Sequence, residues 1–291
     1  MNVALWLERT ALAAPRAPAL MSGTALAADY EGFARRAAGL AGWLSSRGIE
    51  PGDRVAILMR NGSEYLVVLH AIWIAGAVAV PINAKLHPDE AGWIVGDAGA
   101  RMIFVTPGIE AASEAPAVVA QGPAFADACA GPASAAARKD PADLAWLFYT
   151  SGTTGRPKGV EITHGMLAAM SLSYLSSVDE VRPDDAALYA APMSHGAGLY
   201  APVHVLRGAA HLCPASGGFD PEEVLDLAAA HGSVSAFLAP TMVHRLTRAA
   251  EEGGRDGAGI RTIVYGGGPM HRETIEAALD RFGPRFVQIY G

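Results

Sequence analysis

The 291-residue chain holds only two cysteines, Cys129 and Cys213, far apart and neither in a CxxC pair. Two thiols in so long a chain exclude a disulfide framework, and the expectation is a pair of reduced, buried thiols in a cytosolic protein. Positive charge is also short: 22 Lys and Arg against 29 Asp and Glu give a net charge of -7. Such a surface repels polyanions, which excludes nucleic acid as the expected partner. Nor is there an apolar run long enough to span a membrane, because the longest, Leu66 to Val80, contains His70 and falls short of the ~20 residues a bilayer requires. It reads as a buried helix followed by a buried strand. The first residues, MNVALWLERTALAAP, lack the basic start of a signal peptide and are interrupted by Glu8 and Arg9. An ordinary amphipathic helix and a cytoplasmic location are expected. No repeat of fixed period is present.

What is present is enough apolar material, 51% of residues with 18% charged, to bury a full core. Between Tyr30 and Arg47, Phe33, Ala37, Leu40 and Leu44 fall on one helical face, and Gly48 supplies the stop. A strand VAILM, a helix from Glu64 to Ile74, a strand AVAVPI, a helix from Asp89 to Asp97 and a strand MIFV follow. From Thr106 to Asp140 the sequence turns to Ala, Pro and Gly without a period and reads as a long surface connection with at most one short strand. A second series starts at LAWLFYT. It continues through a helix at Gly165 to Ser177 and strands ALYAAP, SVSAFLAP, TIVYGG and FVQIYG, with helices at Pro221 to Ala230, Met242 to Glu251 and His271 to Phe282. Strands alternating with helices predict an α/β fold of two packed, mainly parallel sheets with helices on their faces.

The segment FYTSGTTGRPKGV, Phe148 to Val160, leaves an apolar strand and sets Thr150, Ser151, Thr153 and Thr154 around Gly152 and Gly155, with Lys158 following. Glycine lets backbone N–H groups turn toward an anion, hydroxyls add donors, and lysine adds a full charge, so the pattern points to phosphate binding. It is not a Walker loop, because Pro157 precedes Lys158 and Gly159 follows it. His195, His204 and His211 have no recurrent metal-ligand spacing, and no metal site is expected within the chain.

YTSGTTGRPKGV resembles the signature loop of the adenylate-forming superfamily, which includes acyl-CoA synthetases, luciferases and peptide-synthetase adenylation domains. Three further segments resemble that family in the same order: PMSHGAG (Pro192 to Gly198), VYGGGPM (Val264 to Met270) and VQIYG (Val287 to Gly291). The resemblance implies that His195 sits at the carboxylate end of an acid pocket. It also implies that Gly266, Gly267, Gly268 and Pro269 form the turn between adenine and acid, with Gly268 in place of the usual alanine. Tyr290, followed by Gly291, would lay its ring on the adenine. Lys158 and His195 are the implied catalytic residues, and ATP, Mg2+ and coenzyme A the implied cofactor and co-substrates.

The match breaks off mid-motif at Gly291, ahead of the family's Thr and Glu, the latter its magnesium ligand. The resemblance therefore implies an incomplete AMP-binding N-terminal domain over 1–291, with a first α/β part near 1–140 and a second near 141–291 that carries the phosphate loop. It also implies that the C-terminal domain is absent and that the chain is a weak or inactive fragment. The expected activity of the intact protein is ATP-dependent conversion of a carboxylic acid, fatty or otherwise aliphatic, to acyl-adenylate and then acyl-CoA. An aryl-CoA ligase, a stand-alone adenylation domain and a non-catalytic ATP- or AMP-binding relic stay open as alternatives. The oligomeric state has no signature in the sequence.

Overall fold

The computed structural model describes residues 1–150 and 156–290. In chain order its first elements are α1 (Leu5–Ala13), β1 (Pro18–Ser22), β2 (Ala25–Asp29), α2 (Tyr30–Ser46), β3 (Arg54–Leu58), α3 (Ser63–Ile74), β4 (Val78–Pro81), α4 (Pro88–Asp97) and β5 (Ala100–Val105). Then come β6 (Ala117–Val119), α5 (Pro123–Ala130), β7 (Leu144–Thr150), β8 (Lys158–Thr163), α6 (His164–Ser177), β9 (Ala186–Leu188), α7 (Gly196–Leu199), α8 (Ala201–Arg207) and β10 (Ala210–Cys213). The last are α9 (Pro221–His231), β11 (Val234–Leu238), α10 (Pro240–Glu252), β12 (Ile260–Tyr265), α11 (Arg272–Phe282) and β13 (Phe286–Gln288).

The chain forms two compact units. One comprises Met1–Arg16, Asp29–Arg60 and Glu64–Ser171; the other comprises Ala17–Ala28, Asn61–Ser63 and Leu172–Gly291. The division differs from the one expected near residue 140, because β7 pairs with β4 and β8, and this keeps the strands flanking the phosphate-loop sequence in the first unit. The short β1 segment instead pairs with β10 of the second unit.

The first unit is built on a sheet of order β6-β5-β3-β4-β7-β8. Its strands pair in parallel except for β7 and β8, which form an antiparallel hairpin. The sequence SEYLVVLHAIWI has apolar residues on every side, so its helix α3 is buried throughout, from Tyr65 to Trp73. Trp73 Nε1 donates to the Ala145 carbonyl at 2.8 Å. Helix α2 follows its predicted face, with Phe33, Ala37, Leu40 and Leu44 fully buried. Its N-cap is Asp29, which accepts from Gly32 N at 2.8 Å.

The stretch from Thr106 to Asp140 is more structured than its composition suggests. It contains β6 and α5, a helix that starts at Pro123 and buries Phe125, Ala128 and Cys129. Backbone from this stretch comes so close to α2 that a Cβ at Gly39 would lie 2.2 Å from the Cys129 carbonyl oxygen. Both cysteines are buried and no disulfide joins them.

The second unit is built on a sheet of order β13-β12-β11-β9-β10-β1-β2. Pairing is parallel from β1 through β10, β9, β11 and β12 to β13. Its core gathers Leu188, Leu225, Leu238, Val243, Leu246 and Phe282. Among the described residues, no helix is long and apolar enough to cross a membrane.

His70 in α3 titrates as a core group. It donates from Nδ1 to the Leu66 carbonyl at 2.9 Å and lies edge-on to Phe33 and Trp73 at 4.9 and 5.2 Å. Burial pushes its pKa down to about 4. Its neutral form is favoured by folding, so stability is full above the ordinary histidine pKa and falls as pH drops toward 4. Between pH 7 and pH 5, urea unfolding is expected to show wild type losing about 2 kcal/mol relative to His70→Asn, which cannot take up the proton.

Candidate functional site

Lys158 and Thr150 face each other across the β7–β8 hairpin as cross-strand partners, and both side chains are exposed. The sequence between them is therefore enclosed by two antiparallel strands, where the sequence pattern predicted a strand followed by a helix. Ser151, Gly152, Thr153, Thr154 and Gly155 lie outside the described residues. The next pair down the hairpin is Tyr149 with Gly159. The Tyr149 ring crosses Gly159 so closely that a Cβ there would stand 3.1 Å from Cζ. Tyr149 also donates its hydroxyl to Asp97 Oδ2 at 2.6 Å and meets Trp93 edge-on at 6.4 Å. Burial, and then the Asp97 carboxylate, holds the Tyr149 phenol well above the ordinary tyrosine range, so it stays a neutral donor. Ahead of β8, Arg156 Cζ lies 5.9 Å from the Trp93 ring centroid, an exposed cation–π contact worth about 0.5–1 kcal/mol.

In the second unit, His195 is the residue before α7 and is half-buried. Its Nδ1 is 3.0 Å from the Ser194 hydroxyl, and burial lowers its pKa, so the ring is neutral at neutral pH. The segment leading into it is laced by Asn61. That side chain donates Nδ2 to the carbonyls of Tyr189 and Ala191 at 2.7 and 2.8 Å, and its Oδ1 accepts from Met193 N at 2.9 Å. Strand β9 consequently ends at Leu188, earlier than the run ALYAAP suggests. Nothing local marks Asn61, which sits in an ordinary turn sequence, RNGS.

Behind His195 the space is filled by aromatic side chains. A Cβ at Gly196 would lie 2.9 Å from Phe237 Cζ. Tyr200 lies 4.9 Å from Tyr174 and 6.0 Å from Phe237, ring centroid to centroid. These rings, with His204, Ser235 and Val264, line a cavity of about 10 Å3, which is room for about one water. His204 is buried and neutral, its pKa lowered by burial, and Nδ1 donates to the Tyr200 carbonyl at 2.8 Å.

The turn after β12 uses its glycines for different reasons. Gly266 faces Ile289, whose Cγ1 and carbonyl oxygen would be 2.9 and 3.0 Å from an added Cβ. Gly267 has φ 78°, in the left-handed region that glycine occupies freely. Gly268 needs neither property, since a Cβ would meet only Pro240 Cγ at 4.0 Å. Pro269 is exposed, and Tyr290 is fully so at 104%. Gly291 lies outside the described residues.

His195 follows β9, the glycine turn follows β12 and Tyr290 follows β13. In a parallel sheet these are all carboxyl ends, the edge at which open α/β sheets bind ligands. The sheet thus brings His195, Gly266, Gly267, Gly268, Pro269 and Tyr290 to one edge of the second unit. Thr150 and Lys158 belong to the first unit.

Two outcomes are expected from these contacts. Asn61→Ala should lower stability by about 2 kcal/mol, because three backbone groups lose a partner, and should speed hydrogen exchange at the Met193 amide. Gly266→Ala should destabilise in the same denaturation assay, while Gly268→Ala leaves the midpoint unchanged.

Residues 7–291 match the family model described as AMP-binding enzyme. A feruloyl-CoA synthase of Amycolatopsis sp is 36% identical over 98% of this chain and 58% of its own length. The long-chain-fatty-acid–CoA ligase FadD13 of Mycobacterium tuberculosis is 30% identical over 94% of this chain and 57% of its own. The chain therefore spans a little over half the length of these relatives. Among solved structures, the inhibitor-bound N-terminal domain of FACL13 from M. tuberculosis superposes with a TM-score of 0.84 at 26% identity, covering 100% of this chain and 75% of that one. The chain belongs to the family of AMP-binding enzymes, the adenylate-forming group that its signature segment resembles.

Proposed function

We propose that this chain is the ATP- and acid-binding portion of a ligase that activates a carboxylic acid as an acyl-adenylate and passes the acyl group to coenzyme A. The observation that carries this reading is the hydroxyl- and glycine-rich segment at the carboxyl end of β7, flanked by Thr150 and by the exposed ammonium of Lys158. In the first half-reaction a carboxylate oxygen bonds to the α-phosphorus of ATP and the bond to pyrophosphate breaks. In the second, a thiolate sulfur attacks the acyl carbon and AMP leaves. Both partners of the first step are anions, so donors and positive charge at fixed positions matter more than a general base.

Thr150, Ser151, Gly152, Thr153, Thr154, Gly155 and Lys158 would hold phosphate oxygens. The neutral ring of His195 would donate one hydrogen bond to a carboxylate or phosphate oxygen. The turn Gly266 to Pro269, with Tyr290 and Gly291, would border the adenine and the acid. Magnesium, when bound, would neutralise phosphate charge. Among the described residues no group of three or more His, Cys, Asp and Glu side chains could hold a metal ion.

For the acid, the long-chain-fatty-acid relative supports an aliphatic substrate. An aromatic acid is a second reading, favoured by the Tyr200 and Phe237 rings beside His195 and by the feruloyl-CoA relative.

Lys158→Ala is expected to weaken ATP binding, measured by calorimetry, roughly ten- to hundredfold, the worth of one charge-assisted contact. Unchanged affinity would reject the charge role. Pyrophosphate exchange with palmitate and with ferulate then tests the substrate: exchange with one acid only selects that class.

A further inference from the structure

We propose that Tyr149, Asp97 and Trp93 form a clamp that positions Lys158 and Thr150 for phosphate, making them positioning residues of the nucleotide site. This rests on the reading of Lys158 and Thr150 as phosphate-binding groups.

Lys158 and Thr150 are exposed ends of two strands at the margin of the six-stranded sheet, where β8 is the edge strand, so contacts from outside the sheet help to fix them. Helix α4 supplies contacts from outside the sheet, to Tyr149 on β7 and to Arg156 just ahead of β8. On β7, Tyr149 donates to Asp97 at 2.6 Å and packs edge-on against Trp93. On the returning side, Arg156 lies over the same Trp93 ring at 5.9 Å. One tryptophan thus meets the residue before Thr150 and the residue two before Lys158. A hydroxyl bonded to a carboxylate is among the shorter and stronger hydrogen bonds available to a side chain, so Tyr149 is held at both its ring and its tip.

Gly159 closes the arrangement. It is the cross-strand partner of Tyr149, and its backbone passes under the ring, with Cζ, Cε2 and the hydroxyl oxygen at 3.1, 3.3 and 3.3 Å from where a Cβ would be. Gly159 does not have a positive φ. Its role is therefore to admit the ring, and the ring cannot yield to a methyl group without lengthening the bond to Asp97. The glycine that follows Lys158 is thus explained by the clamp and not by a turn.

The test measures binding of ATP and of adenosine, which has no phosphate, to the 291-residue chain by calorimetry. Tyr149→Phe keeps the ring and loses the bond to Asp97. Gly159→Ala keeps the bond's partners and displaces the ring. Both are expected to weaken ATP binding about three- to tenfold and leave adenosine binding as in wild type. Asp97→Asn, which still offers an acceptor, is expected to stay within about twofold of wild type. Equal loss of ATP and adenosine binding would make these residues merely structural, and unchanged ATP binding in both variants would remove the clamp alone. If wild type binds adenosine but gains nothing from the phosphates of ATP, the phosphate reading of Lys158 and Thr150 fails and the clamp falls with it.

Discussion

Parallel strand pairing is the constraint on which the rest of this structure depends. Parallel neighbours point their carboxyl ends the same way, so segments that are distant in sequence emerge side by side. In the second unit this is what makes neighbours of the segments after β9, β11, β12 and β13. It also explains composition, because a strand covered by helices on both faces has no side for polar groups. Strands β9, β10 and β11 read AAL, AHLC and VSAFL, and nearly all of these residues are buried. The buried exception that carries a ring nitrogen, His211, has its Nδ1 2.8 Å from the Tyr189 hydroxyl.

Elements whose periodicity reports burial were legible in the sequence. Helix α2 and the later helices α9, α10 and α11 show one apolar face, and α3 shows none because it has no exposed side. Strand β8 was not legible: KGVEIT carries two charges and lies mostly exposed, since an antiparallel edge strand has no need of an apolar run. Helix α5 was hidden because its alanines report neither face. At the candidate site, the order of residue types between Thr150 and Lys158 was plain, while the antiparallel pairing of β7 and β8 was not. Asn61 was invisible for a different reason. Its partners lie beyond position 188, and no local pattern encodes a contact at that separation.

The glycines of the motifs separate into distinct physical cases that a sequence shows alike. Gly267 is needed for its backbone angle, Gly196, Gly266 and Gly159 for the space a side chain would take, and Gly268 for neither. In the close-approach cases a single methyl would displace an aromatic ring or a neighbouring strand end. Where only the angle matters, an L-residue is strained whatever the space around it. Treating a glycine-rich turn as uniformly flexible would therefore misjudge most of its positions.

Charge is distributed with the same economy. Within the second unit, the buried carboxylates Asp179 and Asp185 both reach Arg261 at 2.9 Å and take further hydrogen bonds from Ser235 and Ser233. Those charges are committed to one another, and removing either partner would leave a buried ion uncompensated. The histidines close to His195's edge are neutral because burial disfavours the imidazolium, which leaves His195 and His204 as hydrogen-bonding groups without charge. In the first unit, Arg156 and Lys158 are exposed cations that water stabilises. The acid activation proposed for this chain would join two anions and would use both kinds of group: full charge for the phosphates, and neutral donors beside the carboxylate, which must stay nucleophilic. The burial of each residue, set by its place on helix or strand, is what sorts these side chains into neutral hydrogen-bonding groups and exposed charges.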